Sequence, residues 1–314
     1  MRLLLIGCTG LVGRGLIPVL QAAGHQLTIV SRRASPAAFP SDVAGRLQWI
    51  QVDPAVASSW SESTSLHDAL AASDGVVNLA GEPIAEQRWT VQHLETLESS
   101  RLETTRHLVS ALATLAKPPS VLVNASAVGY FGTSLDGRFE ESSPVGQDFL
   151  ARLCQKWEQA AAEKPAATRL VVLRIGIVLS SQGGALAKML PVFRAGFGGP
   201  IGSGQQWMSW IERGDLCRII QSSLETDSWS GVINAVAPDP VTMAVFAGSL
   251  GRCLGRPSLL PVPGPMLQLL LGDGSKVVLE GQFVSSSRLE ALGFNFLCPT
   301  LPVALDVATS SSNR

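Results

Sequence analysis

The sequence predicts an α/β protein built on a doubly wound parallel sheet, with a smaller α/β region interleaved toward its C-terminus. Three observations carry this. Short apolar runs alternate with helical patterns, a glycine loop joins the first run to the first helix, and the texture changes after Ser180. Strands covered by helices on both faces read as continuous apolar runs, because neither face meets water.

In order, RLLLIG (Arg2–Gly7) is a short buried strand, and Leu11–Ala23 has apolar residues at helical spacing with Gly24 as a C-terminal stop. QLTIVS (Gln26–Ser31) is a second strand and, after a loop rich in Ser, Pro and Ala, Leu47–Val52 a third. A short helix over Leu66–Ala72 precedes the strand GVVNL (Gly75–Leu79). A long helix over Gln92–Ala116 is stopped by Pro118 and Pro119. Strands at Ser120–Asn124 and Leu170–Ile175 flank a helix near Asp148–Ala162. Beyond Ser180, Gly196–Gly204 carries five glycines in nine residues, followed by Trp207 and Trp210. The expected organisation is a nucleotide-binding domain over 1–180, continued by about 211–237. A substrate-binding C-terminal region is expected over 181–210 and 238–308, and 309–314 is a tail.

At 314 residues, 46% hydrophobic and 16% charged, the chain can bury a large core. A net charge of −1 without a basic stripe argues against nucleic acid, and no apolar run of about 18 residues predicts a membrane span. The opening apolar stretch is too short for a signal-peptide core, so a soluble, cytosolic protein is expected. Five scattered cysteines and four histidines in the first 107 residues form no metal-ligand pattern, and no GxSxG elbow occurs. No metal is expected.

Gly7-Cys8-Thr9-Gly10-Leu11-Val12-Gly13 reads G-x-x-G-x-x-G between a strand and a helix. The first glycine permits a tight turn, the second lets backbone approach a pyrophosphate, and the third lets helix and strand pack closely. Helix amides then face the phosphates. About 20 positions on, where NAD-selective sites place a carboxylate, stand Ser31, Arg32 and Arg33. A guanidinium pairs with a 2′-phosphate that a carboxylate would repel, so NADP(H) is the expected cofactor of this Rossmann-type site.

The motifs TGLVGRG, NLAGEPIAEQRW, SRLETT, ASAVGYFG, FLARLCQKWE, GFGGPIGSGQQWMSWI and RLEALGF occur in order. On these, over essentially residues 1–305, the chain resembles the atypical branch of extended short-chain dehydrogenases/reductases, known as epimerase-family or NAD-dependent epimerase/dehydratase-like proteins. Some members have been labelled cell-division inhibitors. The resemblance implies a Rossmann fold, NADP(H) binding and a C-terminal region of unassigned function, but no substrate. It places Ser31 and Arg32 at the adenosine phosphate and Asp53 at adenine, though Asp53-Pro54 makes an equally good turn. Leu79, Ala80 and Gly81 would run beneath the ribose. Arg101 would meet a cofactor phosphate or stand exposed on its helix, and Val178 would lie by the nicotinamide or in the core.

Ordinary short-chain dehydrogenases use Ser with Tyr-x-x-x-Lys on one helix, where the ammonium lowers the phenol's pKa. This chain has one tyrosine, Tyr130, and the residue four later is Ser134, so the pair is impossible. Ser126 matches the family serine at a strand end. Tyr130 is either a displaced acid or a packing aromatic, and Lys156 either joins the site or faces solvent. Glu212 stands where the family usually has the histidine of Trp-Ile-His, and Asp215 reads as the N-cap of the following helix. Trp207 and Trp210 either wall a substrate site or belong to the core.

Three readings therefore stand. One is an NADP(H)-dependent oxidoreductase or epimerase-like enzyme acting on a small carbonyl or alcohol. Another is a non-catalytic NADPH-binding redox sensor or division regulator. A scaffold without cofactor affinity is the third, and the sequence fits a monomer or a homodimer.

Overall fold

The first strand, β1 (Arg2–Ile6), sends Leu3 and Leu5 into one hydrophobic core and Leu4 and Ile6 into another. A strand buried on alternate sides needs cover on both, and the computed structural model supplies it. The structure describes residues 1–33, 45, 47–61, 64–265, 268 and 272–310. The Ser/Pro/Ala-rich loop and residues 311–314 of the expected tail lie outside the described residues.

Six further strands join β1: β2 (Gln26–Ser31), β3 (Leu47–Gln51), β4 (Gly75–Asn78), β5 (Val121–Ala127), β6 (Arg169–Ile175) and β7 (Gly231–Ala235). They form a seven-stranded parallel sheet in the order β3-β2-β1-β4-β5-β6-β7. The chain reverses direction across the sheet between β1 and β4. In open α/β sheets the crevice at the carboxyl ends of the strands at such a switch point is where ligands bind.

The longer helices are α1 (Leu11–Ala22), α2 (Ser65–Ala71), α3 (Val91–Thr114), α4 (Phe149–Ala162), α5 (Gly184–Arg194), α6 (Arg213–Glu225), α7 (Met243–Cys253) and α8 (Leu301–Ser310). Helices α1 and α6 pack against each other over the core that holds Leu3 and Leu5. Helix α3 seats Leu108 and Leu112 over the core of Leu4 and Ile6, and pairs with α4. Burying such a leucine contributes about 1.5–3 kcal/mol, so the stripes on α1, α3 and α6 hold the three layers together.

Helices α2, α3, α4, α6 and α7 each begin with a side chain that accepts a backbone N–H of the first turn: Thr64, Thr90, Asp148, Glu212 and Thr242. Such a cap contributes about 0.5–2 kcal/mol. Glu212, not Asp215, therefore caps α6. Asp215 lies inside the first turn, fully buried, and turns away to accept the backbone amides of Leu297 and Cys298. Helices α1 and α5 are entered through Gly10 and Gly183 and have no side-chain cap.

Short strand pairs attach the later segments over the carboxyl edge. Ile177–Leu179 pairs with Trp210–Glu212, Trp207–Met208 with Val241–Thr242, and Phe283–Val284 with Arg138–Phe139. No helix among the described residues is long and apolar enough to cross a membrane.

Candidate functional site

The three glycines of the first loop do different work. Gly7 has φ +73°, and a Cβ there would lie 2.4 Å from the Ala80 backbone nitrogen. A Cβ on Gly13 would lie 2.0 Å from the Cys8 carbonyl oxygen. Both positions are closed by backbone packing. Gly10 is exposed, and the nearest atom to its missing Cβ is the Gly7 carbonyl oxygen at 3.9 Å. The open space at Gly10, over an uncapped helix start with no acidic residue in its first turn, fits a phosphate group. Thr9 is half-buried beside it, Val12 packs on the core, and a Cβ on Gly183 or Gly184, at the start of α5, would lie 3.2 or 3.1 Å from the Leu11 side chain.

Leu79, Ala80 and Gly81 follow β4 directly beneath this loop. The Asn78 side chain accepts the Ala80 amide at 3.2 Å, which fixes the turn. A Cβ on Gly81 would meet the Arg101 guanidinium carbon at 2.9 Å. At the outer end, the Ser31 hydroxyl accepts the Arg33 amide at 3.1 Å, leaving its own hydrogen free to donate. Arg32 is exposed, with a long 3.8 Å ion pair to Glu82. Asp53 accepts the Ala55 amide at 3.0 Å, so its carboxylate closes a turn.

Beyond the carboxyl ends of β5 and β6 opens a cavity of about 700 Å³. Ser126 lines it, 3% exposed. Strand β5 runs three residues past Asn124, the end expected from sequence, so Ser126 sits within the strand opposite Arg174 of β6. Both side chains meet Glu158 of α4. Ser126 donates its hydroxyl hydrogen to Glu158 Oε1 at 2.6 Å, and Arg174 grips the same carboxylate with Nε and Nη2, each at 2.8 Å. Arg174 and Glu158 side chains are 3% and 11% exposed, so this is a buried bidentate pair.

One turn earlier on α4, Cys154 also lines the cavity. Burial pushes its thiol up to about 11; the Glu158 carboxylate adds to this, and the Ala127 amide, Arg101 and Ser126 oppose it. Leu150 and Cys154 are spaced as a Tyr-x-x-x-Lys pair would be, and neither exchanges protons near neutrality. Arg101 lines the cavity as well, donating to the carbonyls of Leu97 and Glu82 at 3.0 and 2.9 Å and lying 5.3 Å from the centre of the Trp157 ring. Among the described residues no carboxylate lies within ion-pair reach of it. Burial lowers its pKa, Cys154 and Glu82 opposing, and a guanidinium keeps its charge regardless. A half-buried cation without a carboxylate partner fits an anionic ligand.

Other expected residues fall elsewhere. Tyr130 lies under Arg174, whose guanidinium carbon is 3.4 Å from the ring centre, and packs on Phe131 and Val236; the ring is not part of the cavity wall. Val178 packs on the main core, while Ile175, Gly176 and Ile177 face the cavity. Lys156 pairs with Glu98 at the surface. Trp207 is in the cavity wall and Trp210 is fully buried core. Glu212 spends its carboxylate on the amides of Gly214 and Asp215, and burial raises its pKa.

Sequence reasoning missed Glu158 and Arg174. A signal was present: Arg174 interrupts the otherwise apolar run LVVLRI, and a charge inside a central strand demands a buried partner. Trp89, which lines the cavity beside Phe149, was also missed.

The doubly wound parallel sheet, with a glycine cradle at its switch point, defines a protein of the Rossmann class. Within that class the chain belongs to the NAD-dependent epimerase/dehydratase family, whose model matches residues 3–235; a domain of unknown function, DUF1731, matches residues 262–308. The epimerase family protein SDR39U1 of Homo sapiens is 40% identical over 309 residues, covering 97% of this chain and 98% of that protein. The chloroplastic SDR39U1 homolog of Arabidopsis thaliana is 42% identical over 295 residues, covering 92% and 81%. A crystal structure of the human protein (isoform 2) with NADPH superposes with a TM-score of 0.86 at 38% identity, over 99% of each chain. A UDP-glucuronic acid 4-epimerase of Bacillus cereus, at 16% identity and a TM-score of 0.78 over 99% of this chain and 98% of that one, shares the fold.

Proposed function

We propose that this chain is an NADP(H)-dependent oxidoreductase or epimerase-like enzyme of the atypical short-chain dehydrogenase type, acting on a small carbonyl or alcohol. The observation that carries the reading is the Ser126 hydroxyl, held at 2.6 Å on the buried Glu158–Arg174 pair in the wall of the crevice. The NADPH-bound human relative supports the cofactor. Amides around Gly10 and at the start of α1 would hold its pyrophosphate, Ser31 and Arg32 its 2′-phosphate, and Arg101 a further anionic group.

Bound NADP(H) supplies hydride exchange. The chain's own residues move the proton. In oxidation of an alcohol, Ser126 Oγ accepts the alcohol proton while its own hydrogen passes to Glu158 Oε1, from which it leaves to solvent. In reduction, a proton taken up by Glu158 returns through Ser126 to the carbonyl oxygen. Arg174 keeps the carboxylate oriented throughout, and Tyr130 and Phe131 pack against that guanidinium. The relay takes the place of the absent Tyr-x-x-x-Lys pair.

The test is oxidation of NADPH, followed by absorbance, across a panel of aldehydes and ketones. Turnover that falls about 10²–10⁴-fold in Ser126→Ala, with NADPH affinity retained, is expected. Failure of every carbonyl to oxidise NADPH would favour the second reading, a non-catalytic NADPH-binding regulator. That reading draws on Leu150 and Cys154, which leave the usual proton-transfer positions inert.

A further inference from the structure

The polar groups that line the cavity are almost all committed to the protein itself. Three indoles form its walls, and each spends its N–H internally: Trp89 on the Ile84 carbonyl, Trp157 on Thr105 Oγ1, and Trp207 on the Leu135 carbonyl. They therefore offer a ligand only apolar ring surface. Gln282 donates to the Val128 carbonyl, Ser209 to the Gln282 carbonyl, and Thr133 to Glu280. Between these stand Leu94, Val128, Leu150, Leu153, Ile175 and Ile177. Of the charges, Arg101 is taken by the anionic group of the cofactor proposed above, and Arg152 and Lys276 are exposed and matched in number by exposed Asp148 and Glu280.

Ser126 differs. Its hydrogen is given to Glu158, so the lone pairs of Oγ are what the cavity receives. A ligand seated there needs one hydroxyl donor at its reacting carbon and apolar surface nearly everywhere else. A nucleotide sugar would need many unspent donors and paired cations for its hydroxyls and diphosphate. About 700 Å³ must also admit the hydride-exchanging ring of the cofactor, which leaves room for a compact body.

We infer that the substrate is an apolar, aromatic-sized alcohol or the matching aldehyde or ketone, stacked among Trp89, Trp157 and Trp207, and not a nucleotide sugar. This rests on the oxidoreductase reading for its chemistry, but its binding test does not need turnover. The NADP⁺-loaded protein is titrated with 2-naphthalenemethanol, glycerol and UDP-glucose, read by tryptophan fluorescence. Leu150→Asp and Trp89→Ala are titrated in parallel, with NADPH affinity as the check that each variant is folded.

2-Naphthalenemethanol is expected to bind at least tenfold more tightly than either polar probe. Each variant should weaken it about tenfold or more while NADPH affinity holds. UDP-glucose or glycerol binding as tightly, or naphthalenemethanol binding unchanged in both variants, would overturn the inference. Should 2-naphthaldehyde and every other carbonyl leave NADPH unoxidised while naphthalenemethanol still binds, the oxidoreductase reading falls and the apolar ligand class stands.

Discussion

Ser126 and Arg174 are register partners on neighbouring parallel strands, and their side chains converge on one carboxylate, that of Glu158. The sheet thus sets the geometry of a hydroxyl that would otherwise be free to rotate. Removing each end of this arrangement has a different signature. Ser126→Ala deletes one hydrogen bond and leaves the ion pair intact, so stability should fall by only about 1 kcal/mol while turnover is lost. Glu158→Gln weakens the partner of a buried guanidinium, and should cost about 3 kcal/mol as well as turnover. Denaturant unfolding of both variants, set beside their NADPH oxidation rates, checks the pair of outcomes.

The glycine loop separates folding from binding. Gly13→Ala places a Cβ 2.0 Å from the Cys8 carbonyl oxygen and is expected to prevent folding. Gly10→Val fills space that holds only the Gly7 carbonyl at 3.9 Å. That variant should fold with a loss of about 1 kcal/mol, because Val suits the N-cap less well than Gly, and lose at least tenfold in NADPH affinity. Thermal unfolding and calorimetry of the purified variants distinguish the two positions.

Asp215 ties the C-terminal segment to helix α6. Its two oxygens accept the amides of Leu297 and Cys298 at 3.0 and 2.8 Å, and Arg218 pairs with the same carboxylate. Asp215→Ala leaves two amides without a partner. At about 1–3 kcal/mol for each unpaired group, a loss of about 2–6 kcal/mol is expected in urea unfolding.

Cys154 should behave as an inert thiol. With its pKa pushed up to about 11 by burial, the thiolate fraction is negligible at pH 7.5. Alkylation of the native protein by iodoacetamide should spare Cys154 at that pH and rise about tenfold per pH unit toward 11. Mass mapping of the labelled peptides gives the measurement. Fast labelling of Cys154 at pH 7.5 would contradict the burial that separates this site from a Tyr-x-x-x-Lys enzyme.

The sheet was legible because its strands are apolar on both faces; RLLLI and GVVN need no partner sequence to be recognised as strands. The two- and three-residue pairs, such as Trp207–Met208 with Val241–Thr242, carry no periodicity and were not read. At the site, the loop glycines and Ser126 stood in recognisable motifs. Glu158 did not, because a glutamate on an amphipathic helix resembles a solvated one until Arg174 is placed across from it. The capping of α6 was misread for a related reason. Glu212 and Asp215 both suit an N-cap, and only the approach of Leu297 and Cys298 shows where Asp215 is spent.

In the function proposed above, one NADP(H) site runs from Arg32 past Gly10 to Ser126. Calorimetric titration of the cofactor-stripped protein with NADPH and NADH, repeated on Arg32→Ala, tests it most directly. Tight binding selective for NADPH is expected, with a loss in Arg32→Ala that is at least tenfold for NADPH and slight for NADH. No binding of either dinucleotide, or equal losses for both, would contradict it.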